Sequence, residues 1–131
     1  MRNIILDTNF LMIPLQFKVD IFSEIERICN FNYSLLVIEA SVKELENIAS
    51  TGKSKDRKAA AAALKLLKSK GIRVIKSEEK YADDAILKSA DETTIVATQD
   101  MALKRKLAQK RTSIIILRQK KYLQLIERKP L

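Results

Sequence analysis

The sequence contains no histidine and no tryptophan, and it has only one cysteine, two glycines and two prolines in 131 residues. Without histidine, the chain cannot form a serine–histidine hydrolase site, a histidine-based ribonuclease site or a His-containing zinc site. Two glycines are too few for a glycine-rich phosphate-binding loop. Any catalysis must therefore use carboxylates, lysine, tyrosine or a metal-activated water.

The rest of the composition indicates a compact domain without covalent cross-links. Cys29 cannot form an internal disulfide, and it falls on the apolar side of a helical pattern, so we expect it in the core. No apolar run approaches the ~20 residues that span a bilayer, and the N-terminus lacks a signal-peptide pattern. We therefore expect a cytoplasmic protein with one domain, residues 1–131.

The net charge of +9 is unevenly distributed along the chain. Residues 1–50 carry −3, residues 51–99 carry +4 and residues 100–131 carry +8. This balance favours a polyanionic partner, usually nucleic acid, over the alternative of a merely solvated lysine-rich surface. The candidate phosphate-binding residues are Lys104, Arg105, Lys106, Lys110, Arg111, Arg118, Lys120 and Lys121.

Short apolar runs alternate with segments of helical periodicity. The runs at 4–6, 35–38, 72–75, 95–97 and 114–117 predict strands, of which the first two are expected to be buried. Helices are predicted at 21–29, 41–49, 56–70, 83–90, around Leu103 and Leu107, and at 120–126, whereas Pro14 predicts a loop over 10–18. This alternation predicts a three-layer α/β/α fold with a parallel sheet of four to five strands.

Four carboxylates follow successive predicted strands. Asp7 ends the first strand, and the others, Glu44, Asp83 and Asp100, follow strands two to four or open the helices after them. Because the carboxyl ends of parallel strands share one edge of the sheet, these side chains can converge there. Crowded carboxylates repel one another unless cations neutralise them, and oxygen ligands suit Mg²⁺ or Mn²⁺, the ions of two-metal phosphoryl transfer.

Helix capping is the competing explanation for three of these acids. Residues 41–44 match a capping box, Asp100 can serve as an N-cap, and Asp83 or Asp84 can interact with a helix dipole. No helical pattern begins cleanly after Asp7, so this residue is not expected to be a cap; the alternatives for it are a turn former or a carboxylate paired with a lysine. Asp84 remains an alternative to Asp83 as a ligand.

The order and spacing of these motifs resemble the PIN domain family. The matching segments are Asp7-Thr8-Asn9, Val42-Lys43-Glu44-Leu45, Asp83-Asp84-Ala85-Ile86 through Ala90, and Thr98-Gln99-Asp100. Each is short, but together they cover nearly the whole chain. Ile86 and Ala90 lie three and seven positions after Asp83, as in the family pattern, so we prefer Asp83 over Asp84.

The resemblance implies a PIN-like fold and a metal-dependent endoribonuclease that acts on single-stranded RNA. Asp7, Glu44, Asp83 and Asp100 would be the catalytic metal ligands, and Asn9 and Thr98 the supporting polar groups. Two branches of the family compete: toxin ribonucleases with an antitoxin partner, and ribosomal-RNA-processing endonucleases with ribosome-assembly partners. The basic C-terminal region slightly favours the second branch, and homodimers are common in the family.

Two other functions stay open at this point. A non-catalytic RNA-binding or assembly module would keep the fold without the chemistry, so it would bind neither Mg²⁺ nor Mn²⁺. A structure-specific DNA nuclease would share the metal chemistry, so only a comparison of substrates separates it from an endoribonuclease.

Overall fold

The computed structural model describes residues 1–128, which form six strands and seven helices. In chain order these are β1 (Arg2–Leu6), α1 (Thr8–Leu11), α2 (Ile13–Phe17), α3 (Ile21–Ile28), β2 (Tyr33–Ile38), α4 (Glu39–Thr51), α5 (Ser54–Ser69), β3 (Arg73–Ile75), α6 (Ala82–Ser89), β4 (Ile95–Ala97), α7 (Met101–Gln109), β5 (Ser113–Arg118) and β6 (Tyr122–Ile126). None of the helices in this part of the chain is long and apolar enough to cross a membrane.

All strands belong to one sheet, in the order β3-β2-β1-β4-β5-β6. Strands β1 to β5 run parallel, and β6 pairs antiparallel with β5. Strand β1 is central, with Ile5 paired to Leu36 of β2 on one side and to Val96 of β4 on the other. The strand order therefore reverses between β1 and β4, which is where open α/β sheets bind ligands.

The side chains of β1 show why this strand is apolar throughout. Ile4 and Leu6 pack into a core shared with α1 to α5, and Ile5 packs into a second core with α6 and α7. Both faces of the sheet are thus covered by helices, which confirms the predicted three-layer α/β architecture. Cys29 is buried in the first core, as predicted.

The predicted loop over residues 10–18 is wrong, because this segment contains helices α1 and α2. Pro14 lies in the first turn of α2, where a missing backbone N–H costs no helical hydrogen bond. Phe10 and Ile13 are fully buried and fix the two helices on the sheet. Asp7 is the N-cap of α1, so the expectation that no helix begins after it was also wrong.

The predicted helix at 120–126 is wrong too, because residues 122–126 form strand β6. The chain reverses through Gln119 and Lys120, which both adopt positive φ (52° and 57°), and the N–H of Lys121 donates to the carbonyl of Arg118. Leu123 then lies in the core beneath the hairpin. β6 adds a sixth, antiparallel strand to the sheet of four to five strands expected from the sequence.

Helix α3 covers the outer edge of β6. The N–H of Leu123 donates to Glu24 Oε1 at 2.9 Å, and Arg27 Nη2 donates to the Leu123 carbonyl at 3.2 Å. Glu24 and Arg27 also form an ion pair at 2.8 Å. The pair takes the place of a neighbouring strand, so the exposed edge cannot recruit another chain at this point.

Candidate active site

A cleft of about 450 Å³ opens at the carboxyl ends of β1 and β4, where the strand order reverses. The structure brings all of the predicted carboxylate ligands into its lining, together with one supporting polar residue and one of the predicted basic residues: Asp7, Glu44, Asp83, Asp84, Asp100, Asn9 and Lys106. They come from four separate segments that are far apart in sequence. The parallel sheet places these segments at one edge, as the strand pattern predicted.

Asp7 lies at the base of the cleft and is 3% exposed. Its Oδ1 accepts a hydrogen bond from the Thr8 N–H at 2.8 Å, and its Oδ2 accepts one from Thr98 Oγ1 at 2.7 Å. Burial raises the pKa of Asp7 to about 6; these two bonds oppose the rise, and the charges of Asp83 and Glu44 add to it. The carboxylate is thus held in one orientation at a cost that a nearby cation would remove.

Thr98 links Asp7 to Asp100 from beneath the cleft. Its fully buried hydroxyl donates to Asp7 Oδ2 and accepts the backbone N–H of Asp100 at 3.0 Å. Asp100 is the N-cap of α7, since its Oδ1 accepts the N–H of Leu103 at 2.9 Å. The capping interpretation is therefore correct for Asp100, but it occupies only Oδ1 and leaves the residue in the lining of the cleft.

Glu44 reaches the cleft from α4. This helix begins at Glu39, two residues before Ser41, so the capping-box interpretation of residues 41–44 is wrong. Burial and the charge of Asp83 raise the pKa of Glu44, and the Thr8 hydroxyl lowers it. Glu44 is free of a capping role and faces other carboxylates.

Asp83 and Asp84 both lie in the first turn of α6, as predicted, at the exposed rim of the cleft. The pKa of Asp83 is raised by partial burial and by Asp100, lowered by Lys106, and raised by Asp84. Asp83 also raises the pKa values of Asp7 and Glu44. Asp83 thus affects the pKa values of Asp7 and Glu44 and is itself affected by Asp100, whereas the choice of Asp83 over Asp84 as a ligand stays a prediction.

The donor set of the cleft fits a hard divalent cation. The predicted ligands are all carboxylates, and within residues 1–128 none of them forms an ion pair with lysine or arginine. The hydroxyl of Thr8 is buried in the same lining and lies close enough to Glu44 to lower the pKa of that carboxyl. Oxygen donors with uncompensated charge are what Mg²⁺ and Mn²⁺ prefer.

The carboxylates line an open cleft and do not form a closed cage. Across the described part of the chain, no three acidic side chains are close enough to enclose an ion by themselves. This arrangement suits Mg²⁺, which keeps several of its own waters when it binds to proteins. Direct ligation by all four carboxylates stays a prediction.

Seven of the eight predicted phosphate-binding residues fall into two groups. Lys104, Lys106 and the hairpin residues Arg118, Lys120 and Lys121 lie at the same sheet edge as the cleft. Lys110 and Arg111 follow the far end of α7, where Lys110 donates to the Leu87 carbonyl and lies beside residues 91–93. The structure thus separates these two residues from the cleft, and Arg105 is exposed along α7.

The sequence did not indicate a role in the site for two residues, Thr8 and Gln99. Thr8 was part of a quoted motif, but nothing in that motif indicated that its hydroxyl would face Glu44. Gln99 joins three segments: its N–H donates to Asn9 Oδ1 at 3.4 Å, and its Oε1 accepts the Leu117 N–H at 3.0 Å. A glutamine after a strand carries no pattern that predicts these contacts.

Similarity to known proteins agrees with this geometry. A family model described as a PIN like domain matches residues 4–120. Ribonuclease VapC4 of Methanocaldococcus jannaschii is 35% identical over 127 residues, which cover 95% of this chain and 97% of the relative. Ribonuclease VapC9 of Archaeoglobus fulgidus is 33% identical over 122 residues, with coverage of 92% and 86%.

Among solved structures, the PIN domain endonuclease Utp24 superimposes with a TM-score of 0.79 at 22% identity, covering 98% of this chain and 96% of that one. A domain of a functionally unknown protein from Methanocaldococcus jannaschii gives a TM-score of 0.58 at 21% identity, with coverage of 90% and 92%. These similarities concern the fold alone. Together with the family model and the two ribonuclease relatives, they show that this chain belongs to the PIN-like domain family.

Proposed function

We propose that this protein is an endoribonuclease that cleaves single-stranded RNA with the help of Mg²⁺ or Mn²⁺. The observation that carries the proposal is the cleft at the switch point of the sheet, which Asp7, Glu44, Asp83 and Asp100 line without an ion pair to any lysine or arginine of residues 1–128. The names of the two relatives above 30% identity, both ribonucleases, support the same activity. An RNA substrate also agrees with the cytoplasmic location predicted from the sequence.

In this proposal Asp7, Glu44, Asp83 and Asp100 hold the metal. When bound, a divalent ion supplies a nucleophilic water at neutral pH and neutralises charge on the leaving oxygen. Thr98 and the Thr8 N–H fix both oxygens of Asp7, so this carboxylate needs little reorganisation to bind an ion. Asn9, held by Gln99, presents its amide to the same cleft.

Lys106 contributes a positive charge to the lining of an otherwise acidic cleft. It lies close enough to Asp83 to lower the pKa of that carboxyl. A lysine in this position can bind a phosphate oxygen of the substrate beside the metal site. Lys106 would thereby help RNA to approach a cleft whose carboxylates repel its phosphates.

The relatives change the preferred branch of the family. Both relatives above 30% identity are named VapC, which favours the toxin type over ribosomal-RNA processing. The fold likeness to Utp24, at 22% identity, does not bear on this choice. We therefore include a protein antitoxin as the expected partner, while ribosomal-RNA processing, a ribosome-assembly partner and a homodimer stay predictions from the sequence.

The neighbouring carboxylates Asp83 and Asp84 allow a matched test of the proposal. We expect the wild type to cut single-stranded RNA with Mg²⁺ or Mn²⁺ and not in EDTA. Asp83→Asn should slow cleavage by at least about tenfold and weaken the thermal stabilisation by Mn²⁺, because it removes a metal ligand. Asp84→Asn removes the same charge one residue away, and we expect its cleavage rate and its thermal stabilisation by Mn²⁺ to stay near the wild-type values.

Three outcomes would contradict the proposal or part of it. Equal losses in both variants would show that the charge of the helix terminus matters and not a particular ligand. Binding of RNA with neither cleavage nor a metal effect would indicate a non-catalytic RNA-binding module. Faster cleavage of DNA with the same sequence would indicate a DNA nuclease.

A further inference from the structure

Two cations, Lys104 and Arg118, lie in the same region next to the acidic cleft, because Gln99 joins the end of β5 to the loop that precedes α7. Lys104 lies at the end of the first turn of α7 and is half-buried. Burial lowers the pKa of its ammonium group, the guanidinium of Arg118 lowers it further, and Asp100 opposes the shift. Lys104 is therefore held between a positive and a negative neighbour at the edge of the site.

The position of Arg118 is fixed by two amide side chains. Its Nε donates to Gln124 Oε1 across the hairpin at 2.7 Å, which leaves the two terminal nitrogens for an anion. The preceding residue, Leu117, donates its N–H to Gln99 Oε1. Gln99 thus ties the end of β5 to the loop that carries Asp100, so the cation pair and the acidic cleft are held in one framework.

Neither Lys104 nor Arg118 forms an ion pair with a carboxylate of the described residues. Elsewhere in the chain, Arg2, Arg27 and Lys88 form ion pairs at 2.6 to 3.1 Å. Within residues 1–128, no carboxylate comes within 4.0 Å of Lys104 or Arg118. An anion bound between the two cations would relieve the repulsion between their like charges.

We infer that Lys104 and Arg118 together bind a single phosphate group of single-stranded RNA, the neighbour of the phosphate that is cleaved. The inference rests on the proposed ribonuclease function. Lys104 follows Asp100 by four residues, about one helical turn or ~6 Å along α7, so the bound phosphate lies beside the cleft and outside it. Arginine supplies a planar pair of donors and lysine a compact charge, a combination that matches phosphate oxygens.

The alternative ligand is an acidic side chain of a protein partner. The adjacency to Asp100 favours RNA, because a strand whose cleaved phosphate lies in the cleft must continue past its edge. Contact with only a protein partner would leave RNA binding unchanged when the two cations are removed. The test below therefore separates the two ligands.

The test measures binding of a fluorescein-labelled, mixed-sequence single-stranded RNA by fluorescence anisotropy in EDTA, where no cleavage occurs. Lys104→Ala and Arg118→Ala should each weaken binding by about tenfold, the effect of losing a charged hydrogen bond. The double variant should lose little more than the stronger single variant, because both cations bind one phosphate. The slope of log K against log salt should fall by about 0.7, the value for one phosphate contact on a single strand.

A double variant of Lys65→Ala and Lys68→Ala is the matched control. It removes the same two charges from exposed positions of α5, and we expect near-wild-type binding. Losses no larger than those of this control would overturn the inference. Additive losses with a slope change of about 1.4 would also overturn it, since they would mean two separate phosphates.

The test of the phosphate site can fail or succeed independently of the proposed ribonuclease activity. A protein that shows the predicted binding pattern but never cuts RNA would overturn the ribonuclease proposal and retain the phosphate site. A protein that cuts RNA but lacks the pattern would overturn the phosphate site alone. Circular dichroism and unfolding temperatures of all variants control for loss of the fold.

Discussion

Asp7→Asn should reduce RNA cleavage by roughly a hundredfold or more, because residues that only support metal ligands already cost 10- to 100-fold when they are removed. Asp7 is the most buried acid of the cleft, and both of its oxygens are oriented by the protein. Asparagine keeps the size and one acceptor oxygen but carries no charge. The variant should therefore fold normally and fail to bind the metal productively.

The same substitution should stabilise the metal-free protein at neutral pH. The folded pKa of Asp7 is raised from 3.8 to about 6, so its contribution to stability is present below pH ~4 and is lost as the pH rises through about 6. That shift corresponds to roughly 3 kcal/mol. Asparagine does not titrate, so the stability of the variant relative to wild type should increase between pH 4 and pH 7.

Urea unfolding of both proteins in EDTA over this pH range measures the effect, and the difference between them cancels the contributions of other groups. Adding Mn²⁺ at pH 7 should then stabilise the wild type and leave Asp7→Asn unchanged. A constant stability difference across the range would show that Asp7 is not perturbed in the folded protein. Undiminished cleavage by the variant would reject Asp7 as a metal ligand.

Phe10→Ala should lower the free energy of unfolding by about 3 to 5 kcal/mol, the usual cost of removing a buried phenylalanine. Phe10 is fully buried, although it lies in a segment whose sequence predicts a loop. It anchors α1 directly after Asp7, so its loss leaves a cavity behind the base of the cleft.

Leu15→Ala is the control for this prediction, since Leu15 lies in the next helix, α2, and its side chain is 47% exposed. We expect it to cost less than ~1 kcal/mol. Denaturant unfolding at one pH, without metal, compares the two variants directly. A cost below ~1 kcal/mol for Phe10→Ala would mean that α1 contributes little to the stability of the domain.

The parallel sheet and the acidic cleft were predictable because both depend on strong local signals. Continuous apolar runs such as residues 4–6 indicate strands buried on both faces, and the fold confirms them. Once those strands are parallel, a carboxylate after each strand must lie at one edge. The convergence of Asp7, Asp83 and Asp100 follows from topology and needs no knowledge of side-chain detail.

The hairpin was mispredicted because a short apolar segment fits two periodicities. Tyr122, Leu125 and Ile126 have the spacing of a helix, whereas Leu123 and Leu125 have the alternation of a strand. The turn before them contains no glycine or asparagine, although Gln119 and Lys120 adopt the left-handed conformation that these residues favour. Pairing with β5 and contact with α3 decide that this segment forms a strand, and both are tertiary contacts.

The capping interpretations failed or succeeded according to where each helix starts. Helix α4 begins before Ser41, so the local pattern at 41–44 has no terminus to cap. Asp100 does cap α7 and still lines the cleft, because a carboxylate has two oxygens. A cap and a metal ligand are thus compatible at one residue, and sequence spacing alone cannot choose between them.

The contrast between the acidic cleft and its basic border has a thermodynamic consequence. In the proposed function, a cleft without an ion would repel the same phosphates that Lys106 and the neighbouring cations attract, so a bound ion and a bound RNA would each lower the electrostatic cost of binding the other. Their binding must then be reciprocal: whatever factor the ion adds to RNA affinity, RNA adds to ion affinity. When divalent ions are scarce, bound RNA would therefore raise the affinity of the cleft for the ion that cleavage requires.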